Sequence, residues 1–190
     1  MRLLTRLSRR WAEQVSSPRI IGGAAKGRRL DTPKKGTRPS PARLREAFFN
    51  IIEFRERGRF LDLYSGSGAV GLEAASRGWQ AVCVDLSAEA AAVIRKNART
   101  LNLDAEIIKG DALKYASGAS GFDIVFAAPP YPLNLPDIFQ NILTAAPAAE
   151  GGLYVFQHPT NFNLHLTYQG QLALPDKRKY GSNALSLLGA

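Results

Sequence analysis

Three aspartates, each at or next to the end of a short apolar run, are the residues of this 190-residue sequence whose spacing could do chemistry. Asp62 lies within LDLYSGSG, Asp85 closes AVCVD, and Asp111 follows AEIIKG. Runs of this length and composition are typical of buried strands. Because the carboxyl ends of parallel strands meet at one edge of an open sheet, we expect the three carboxylates to face one ligand.

The turn after Asp62 indicates where that ligand lies. Gly66, Ser67 and Gly68 follow Tyr64 and precede a helical pattern, so the backbone can approach the ligand and a helix N-terminus offers free N–H groups. We take this turn to lack the third glycine of dinucleotide-binding G-x-G-x-x-G turns. Asp62 can accept from an ammonium group, which S-adenosylmethionine has and NAD lacks. The alternative for Asp62 is a carboxylate that caps the following helix.

The other two aspartates suit the rest of such a cofactor. Asp85, followed by Leu86, can hold both hydroxyls of a ribose. The Asp111 carboxylate can accept from the adenine amine, while the Ala112 N–H reaches a ring nitrogen. Either aspartate alone is more often a turn residue. Three carboxylates after three successive strands therefore indicate a cofactor site more sharply than any one of them.

The elements that must position these residues alternate from Phe60 onward. Apolar runs predict strands at 60–64, 81–85, 105–109, 122–127 and 153–157, and periodic runs predict helices at 69–77, 87–101 and 138–146. This alternation predicts right-handed βαβ units and an α/β fold with a mainly parallel sheet. Residues 171–174 and 184–188 have no helix between them, which predicts an antiparallel hairpin at the end of the sheet.

The first 59 residues form a separate pattern. Residues 19–21 and 28–30 flank a Gly-Gly turn and predict a small hairpin, and Ser40 is expected to cap a helix with an apolar face over PARLREAFFNII. We therefore divide the chain into a basic extension at 1–18, a hairpin-plus-helix unit at 19–59 and a ligand-binding domain at 60–190.

Positive charge is concentrated in the same region. Residues 1–59 hold 16 Lys and Arg against 5 Asp and Glu, a net charge of +11, whereas the rest holds 9 against 11, a net charge of −2. A basic region on a near-neutral body predicts a polyanionic partner, most often nucleic acid. The alternative is that the charge only keeps the protein in solution.

The composition excludes several kinds of site and location. One Cys rules out a disulfide framework and a multi-cysteine zinc site, and two His do not make a His-rich metal site, so no metal is expected. No apolar run approaches the roughly 20 residues that cross a bilayer. Residues 1–18 lack the apolar core of a signal peptide, and an organellar transit peptide is the less favoured alternative. We expect a cytoplasmic monomer without a membrane partner.

From Phe60 to the C-terminus the sequence resembles the class I S-adenosylmethionine-dependent methyltransferases. The resemblance rests on the order of glycine loop, ribose acid, adenine acid and a Pro-Pro-aromatic turn, formed here by Ala128, Pro129, Pro130 and Tyr131. It implies a Rossmann-like fold with a mainly parallel seven-stranded sheet. In amino-group methyltransferases the turn reads D/N-P-P-Y/F. Its first side chain and the following carbonyl accept hydrogen bonds from an exocyclic NH2, while the aromatic ring stacks on the base.

The N-terminal region extends the resemblance to one bacterial family, which methylates the exocyclic N2 of a guanine in 16S ribosomal RNA. The matching segments are RIIGG at 19–23, GRRL at 27–30 and RPSPARLREAFFN at 38–50. In that family the last segment helps to close the cofactor site and the basic hairpin faces RNA. The resemblance implies ribosomal RNA or the small ribosomal subunit as partner. Candidate phosphate contacts are Arg28, Arg29, Lys34, Lys35 and Arg43, and Arg38 could pair with the cofactor carboxylate or a phosphate.

Ala128 departs from the family pattern because it has no side-chain acceptor. By analogy with the loss of an oxyanion-hole donor, this could cost about 2–4 kcal/mol of transition-state stabilisation. Three explanations stay open: an engineered inactive variant, a natural protein that binds without efficient catalysis, or another residue in the acceptor role. The alternative functions are methylation of DNA adenine or protein glutamine, and a catalytically weak RNA-binding or ribosome-assembly factor.

Overall fold

The computed structural model describes residues 17–34, 39–173 and 175–190. Residues 1–16 of the predicted extension lie outside the described residues, as do Lys35 and Arg38. In the described part of the chain, no helix has both the length and the apolar character needed to cross a bilayer.

Helices and strands alternate along the described residues. The helices are α1 (Ala42–Ile51), α2 (Gly71–Ser76), α3 (Ala88–Leu101), α4 (Ala112–Ser117) and α5 (Leu135–Ala145). The strands are β1 (Arg59–Leu63), β2 (Gln80–Asp85), β3 (Ala105–Lys109), β4 (Phe122–Ala127), β5 (Ala148–Pro159), β6 (Leu166–Tyr168), β7 (Gln171–Ala173), β8 (Asp176–Tyr180) and β9 (Asn183–Gly189). Ser87 caps α3, where its Oγ accepts from the Ala90 N–H at 3.2 Å.

Seven strands form one sheet in the order β3-β2-β1-β4-β5-β9-β8. The first five of that order run parallel, and β9 and β8 are antiparallel to their neighbours. The predicted Rossmann-like α/β fold with a mainly parallel seven-stranded sheet is therefore confirmed. Since β1 and β4 are neighbours in the middle of the sheet, the segments that leave their carboxyl ends lie side by side.

The C-terminal hairpin forms from different strands than expected. β9 pairs with β8, which covers Asp176–Tyr180. This stretch lies between residues 171–174 and 184–188, the two segments that were expected to pair. Tyr180 pairs with Asn183, so the connection has two residues, and Gly181 supplies the positive φ (63°) that short hairpin turns require. Residues 171–173 pair instead with β6 in a separate two-stranded ribbon.

The predicted Ser40 cap of α1 is wrong. The helix begins at Ala42 with Pro41 at the N-cap position, and no side chain caps it. The Ser40 hydroxyl donates instead to Gln157 Oε1 on β5, at 2.6 Å. A contact between distant parts of the chain has replaced the local contact that the sequence suggested.

Helix α1 packs against the sheet through a cluster of aromatic rings. Phe48 and Phe49 are buried, and the Phe48 ring lies 5.1 Å from Phe126 on β4 and 6.0 Å from Phe60 on β1, measured between centroids. These positions match the predicted apolar face of the helix. The division of the chain at residue 59 stays a prediction, and the helix before it shares a core with the sheet after it.

One buried carboxylate holds the N-terminal region in place. Glu73 on α2 is fully buried, and its Oε2 accepts from the Ile21 N–H at 2.7 Å and from the Arg45 guanidinium at 3.3 Å. Its Oε1 accepts from the Gly22 N–H at 2.7 Å and from Arg77 Nε at 2.9 Å. The predicted hairpin, whose ladder consists of a single bridge between residues 19 and 29, is anchored through these contacts.

Arg45 extends this anchor toward the rest of the N-terminal region. Only 1% of the residue is exposed, and it donates to the carbonyls of Arg19 (3.0 Å), Ser40 (3.3 Å) and Ala69 (3.4 Å). Burial lowers the pKa of the Arg45 guanidinium, and the facing Glu73 carboxylate opposes that effect. One buried ion pair thus joins the hairpin, α1 and the segment that precedes α2.

We expect Glu73→Gln to lower the free energy of unfolding by about 3–5 kcal/mol, because it leaves the buried Arg45 charge without its partner. Guanidinium denaturation followed by circular dichroism measures the change. The matched control is Asp31→Asn, which breaks an exposed ion pair with Lys96 (2.6 Å) and should cost less than about 1 kcal/mol. Equal losses in the two variants would contradict the anchoring role of Glu73.

Candidate functional site

A cleft of about 380 Å3 opens at the carboxyl edge of the sheet, where the segments after β1 and β4 lie side by side. It brings together eight of the predicted site residues: Asp62, Tyr64, Gly66, Ser67, Ala128, Pro129, Pro130 and Tyr131. The segment before α1 forms another part of its wall, through Pro39, Ser40 and Pro41. Asp85, Leu86, Asp111 and Ala112 follow β2 and β3 at the same edge but do not line this cleft.

The turn after β1 has the backbone that the glycines were expected to allow. Gly66 and Gly68 have φ values of 57° and 76°, in the left-handed region. A Cβ on Gly68 would lie 3.0 Å from the Ile94 side chain on α3. Tyr64, at 63°, is also left-handed, a conformation that is strained for a bulky residue and that concentrates at functional sites.

The interpretation that this turn lacks a third glycine is wrong. Gly71 stands three residues after Gly68 and completes the spacing G-x-G-x-x-G. A Cβ at Gly71 would lie 2.3 Å from Cys83 Sγ on β2, so the bare backbone lets the start of α2 pack directly on the sheet. The spacing was visible in the sequence and could have identified this residue. The free Cys83 is buried in the same contact.

Asp62 lies between the start of α2 and the cleft, and its contact with an ammonium group stays a prediction. Its Oδ2 accepts from the Gly71 N–H at 2.9 Å, so it caps the start of α2, and its side chain also lines the cleft. Only 2% of the residue is exposed. Burial raises the pKa of the Asp62 carboxyl to about 7, against the lowering effect of the Gly71 hydrogen bond. The carboxylate is therefore poised to gain from a cationic ligand.

Asp85 braces the glycine turn. Its Oδ2 accepts from the Gly66 N–H and its Oδ1 from the Ser87 N–H, both at 2.8 Å. Each carboxylate oxygen has further acceptor capacity, so a ribose could still be bound from the open side. Leu86, the next residue, is 66% exposed.

Asp111 caps α4, because its Oδ1 accepts from the Lys114 N–H at 2.8 Å. Burial, and to a smaller extent the Asp111 charge, raises the pKa of Tyr64 to about 12. Ala112, the first residue of α4, is buried.

The Pro-Pro-Tyr turn is held by hydrogen bonds that the sequence analysis did not foresee. The Tyr131 hydroxyl donates to Asn183 Oδ1, at the start of β9, and accepts from Gln157 Nε2 at 3.4 Å. Gln157 Oε1 in turn accepts from Ser40. All four side chains line the cleft. Since they come from positions up to 143 residues apart, no local pattern could have assigned Gln157 or Asn183 to the site.

The predicted RNA-contact residues lie on different faces. Arg29 lines a basic groove of about 620 Å3 together with Arg19 and Lys26, and this groove shares the wall at residues 39–41 with the cleft. The Arg28 guanidinium instead donates to the Thr100 carbonyl at the end of α3 (3.3 Å). Lys34, near α3, and Arg43, on the first turn of α1, are exposed.

The histidine on β5 serves the fold. His158 on β5 is buried. Its Nδ1 lies 2.9 Å from the Pro159 carbonyl, which can only accept, so Nε2 accepts from the Ser186 hydroxyl at 2.8 Å. Burial lowers the pKa of His158 and favours its neutral form. Within residues 17–34, 39–173 and 175–190, no group of three or more His, Cys, Asp or Glu side chains could hold a metal ion.

Residues 18–189 match the protein family described as "Conserved hypothetical protein 95". The chain belongs to this family. A relative is the Ribosomal RNA small subunit methyltransferase D of Escherichia coli (strain K12), which is 33% identical over 162 residues, or 77% of this chain and 82% of that protein. A hypothetical protein of Thermus thermophilus with a solved structure is 42% identical, with a TM-score of 0.82 over 90% of this chain and 99% of that chain.

A more distant structure shares the fold. The Thermus thermophilus 16S rRNA N2 methyltransferase, solved with AdoMet and guanosine, is 21% identical, with a TM-score of 0.66 over 92% of this chain and 49% of that chain. The resemblance of this family member to class I methyltransferases is confirmed, as is S-adenosylmethionine as the cofactor. The buried acid at 62, which lines the cleft, fits the ammonium group of that cofactor.

We expect cofactor binding to depend on pH through Asp62. A carboxyl with a pKa of about 7 holds its proton at pH 6, and a bound ammonium group favours the ionised form, so binding releases the proton. Affinity should therefore rise about fivefold from pH 6 to pH 7, following the ionised fraction, while an α-amino group remains protonated. Calorimetry with S-adenosylhomocysteine measures this slope.

Asp62→Asn should bind S-adenosylhomocysteine more weakly, and its affinity should not change between pH 6 and pH 7. The control Asp111→Asn should keep the rise in affinity with pH. A flat affinity between pH 6 and pH 7 in the unchanged protein would show that the ammonium group does not pair with Asp62.

Proposed function

We propose that the protein transfers a methyl group from S-adenosylmethionine to the exocyclic N2 amine of a guanine in small-subunit ribosomal RNA. The observation that carries this proposal is the cleft, in which the turn at Pro129–Tyr131 stands beside the glycine turn of a cofactor site. The name of the Escherichia coli relative supports ribosomal RNA of the small subunit as substrate. The basic N-terminal region suits a polyanion.

In this proposal each acid binds one part of the cofactor, which when bound supplies a methyl group on a positively charged sulfur. Asp62 pairs with the ammonium group, and Asp85 accepts from the ribose hydroxyls. Asp111 accepts from the adenine amine, and the Ala112 N–H donates to a ring nitrogen. The exposed Leu86 side chain offers apolar surface to the adenine ring. The contact assigned to Arg38 stays a prediction.

The Pro-Pro-Tyr turn binds the base. The target guanine leaves its stack, and Tyr131, which is 41% exposed, offers a ring on which it can stack. The Tyr131 hydroxyl donates to Asn183 and accepts from Gln157, and these two hydrogen bonds hold that ring in one orientation. The backbone carbonyl of Pro129, which follows position 128, accepts from the amine, so that the nitrogen lone pair points at the methyl group. Catalysis consists mainly of this positioning.

The basic groove binds the RNA strand next to the target. Arg19, Lys26 and Arg29 line it, and among the residues that the structure describes no Asp or Glu does. Because it shares the wall at residues 39–41 with the cleft, phosphates in the groove would belong to nucleotides that flank the base in the cleft. Arg43 can add a contact from α1. The contacts of Arg28, Lys34 and Lys35 with RNA stay predictions, as do a monomeric state and a cytoplasmic location.

We expect radiolabelled S-adenosylmethionine to label 16S ribosomal RNA, as free RNA or in small subunits, with the label in N2-methylguanosine after nucleoside analysis. Asp62→Ala should abolish the label because the cofactor amine loses its partner. DNA and protein extracts serve as competing substrates. Label found only in DNA or protein would overturn the RNA assignment, and RNA binding without turnover would instead support an assembly factor.

We expect the double variant Lys26→Gln/Arg29→Gln to bind 16S RNA more weakly and with a smaller salt dependence. The slope of log K against log salt should fall by about 0.7 for each phosphate contact removed from a single strand. Filter binding at several salt concentrations measures the slope.

The control for this test is Arg178→Gln/Lys179→Gln on the edge strand β8, which removes the same charge outside the groove. Cofactor affinity should be unchanged in both double variants. An equal decrease in the slope of log K against log salt in the two double variants would refute a specific role for the groove.

A further inference from the structure

Ala128 leaves the proposed base site without a side-chain acceptor, and the neighbouring strand offers one. β4 and β5 run parallel, with Phe126 opposite Val155 and Ala127 opposite Phe156. Extended by one residue beyond the end of β4, this register places Gln157 beside Ala128. Residues at matching positions of neighbouring strands direct their side chains to the same face of a sheet. The strands lie about 4.8 Å apart, a distance that a glutamine side chain can span and an alanine methyl does not obstruct.

The hydrogen bonds around Gln157 set the orientation of its amide. The Tyr131 hydroxyl has one proton, which it donates to Asn183, so it can only accept from Gln157. The Gln157 NH2 group must therefore point to Tyr131, and its carbonyl oxygen points to Ser40, which donates to it at 2.6 Å. A carbonyl oxygen has two lone pairs, so one remains. The residue is 6% exposed and lines the cleft.

We propose that Gln157 Oε1 accepts a hydrogen bond from the target amine and replaces, from β5, the acceptor that position 128 lacks. This inference rests on the proposed function. The amine lone pair forms a bond to the methyl carbon as the carbon–sulfur bond breaks, the sulfonium becomes a neutral thioether, and one amine proton passes to water. Gln157 Oε1 accepts from the second N–H of the amine, and this hydrogen bond points the nitrogen lone pair at the methyl carbon. Asn183 is the weaker candidate, because it begins β9, which lies one strand farther from β4 than Gln157 on β5.

The test is a double-mutant cycle on methylation of 16S RNA. Gln157→Met keeps the length of the side chain and removes the acceptor, and we expect kcat to fall by about 10- to 100-fold with an unchanged dissociation constant for the cofactor. Gln157→Glu keeps an acceptor and should retain more activity than Gln157→Met. Ala128→Asn places an acceptor at the family's usual position and should restore the Gln157→Met variant to within a fewfold of the unchanged protein.

A structural role would give a different result. Ser40→Ala removes the hydroxyl that donates to Gln157 Oε1. If the glutamine only ties the N-terminal segment to the cleft, Ser40→Ala should lower kcat as much as Gln157→Met does. We expect it to lower kcat clearly less than Gln157→Met. Failure of Ala128→Asn to rescue, or full activity of Gln157→Met, would overturn the inference. An unchanged protein that binds cofactor and methylates no RNA would overturn the proposed function itself.

Discussion

The buried charge of Glu73 is the constraint on which the N-terminal region depends. A carboxylate removed from water is stable only if its lone pairs are satisfied, and Glu73 obtains this from two backbone N–H groups and two guanidinium groups. Two of these donors belong to the hairpin, one belongs to α1, and the fourth is Arg77, the residue after α2. The hairpin and α1 therefore have one position relative to the sheet. That position puts Ser40 and Pro41 in the wall of the cleft.

Asp62 lies on the neighbouring strand β1 and illustrates the opposite case. It is nearly as buried as Glu73 but has one backbone N–H and no cationic partner in the described residues, and burial raises its pKa to about 7. The surroundings of the two acids indicate different roles. Arg45 and Arg77 compensate the charge of Glu73, which therefore stabilises the fold. Asp62 has no such partner among the described residues, so its carboxylate favours a cationic ligand.

The parts of the fold that the sequence predicted well are those set by local pattern. The strands β3 and β4 and the helix α3 have nearly the predicted bounds, because apolar periodicity and the Ser87 cap act over a few residues. One error arose where a distant contact replaced a local one, because Ser40 leaves its cap position for Gln157. The hairpin error was local, because the two-residue turn at Gly181 pairs β9 with β8 and not with residues 171–173. Gly71 is a different case, since its spacing was visible in the sequence.

The α/β class, the three acids after successive strands, the Pro-Pro-Tyr turn and the asymmetry of charge could be inferred from the sequence, because each is a property of short segments or of composition. Which side chains meet in the cleft depends on the tertiary structure. Strand order brings Gln157 and Asn183 to Tyr131, and the register of β4 with β5 puts Phe156, the residue before Gln157, opposite Ala127, the residue before Ala128. Such neighbours are set by packing between strands distant in sequence, which no local pattern encodes.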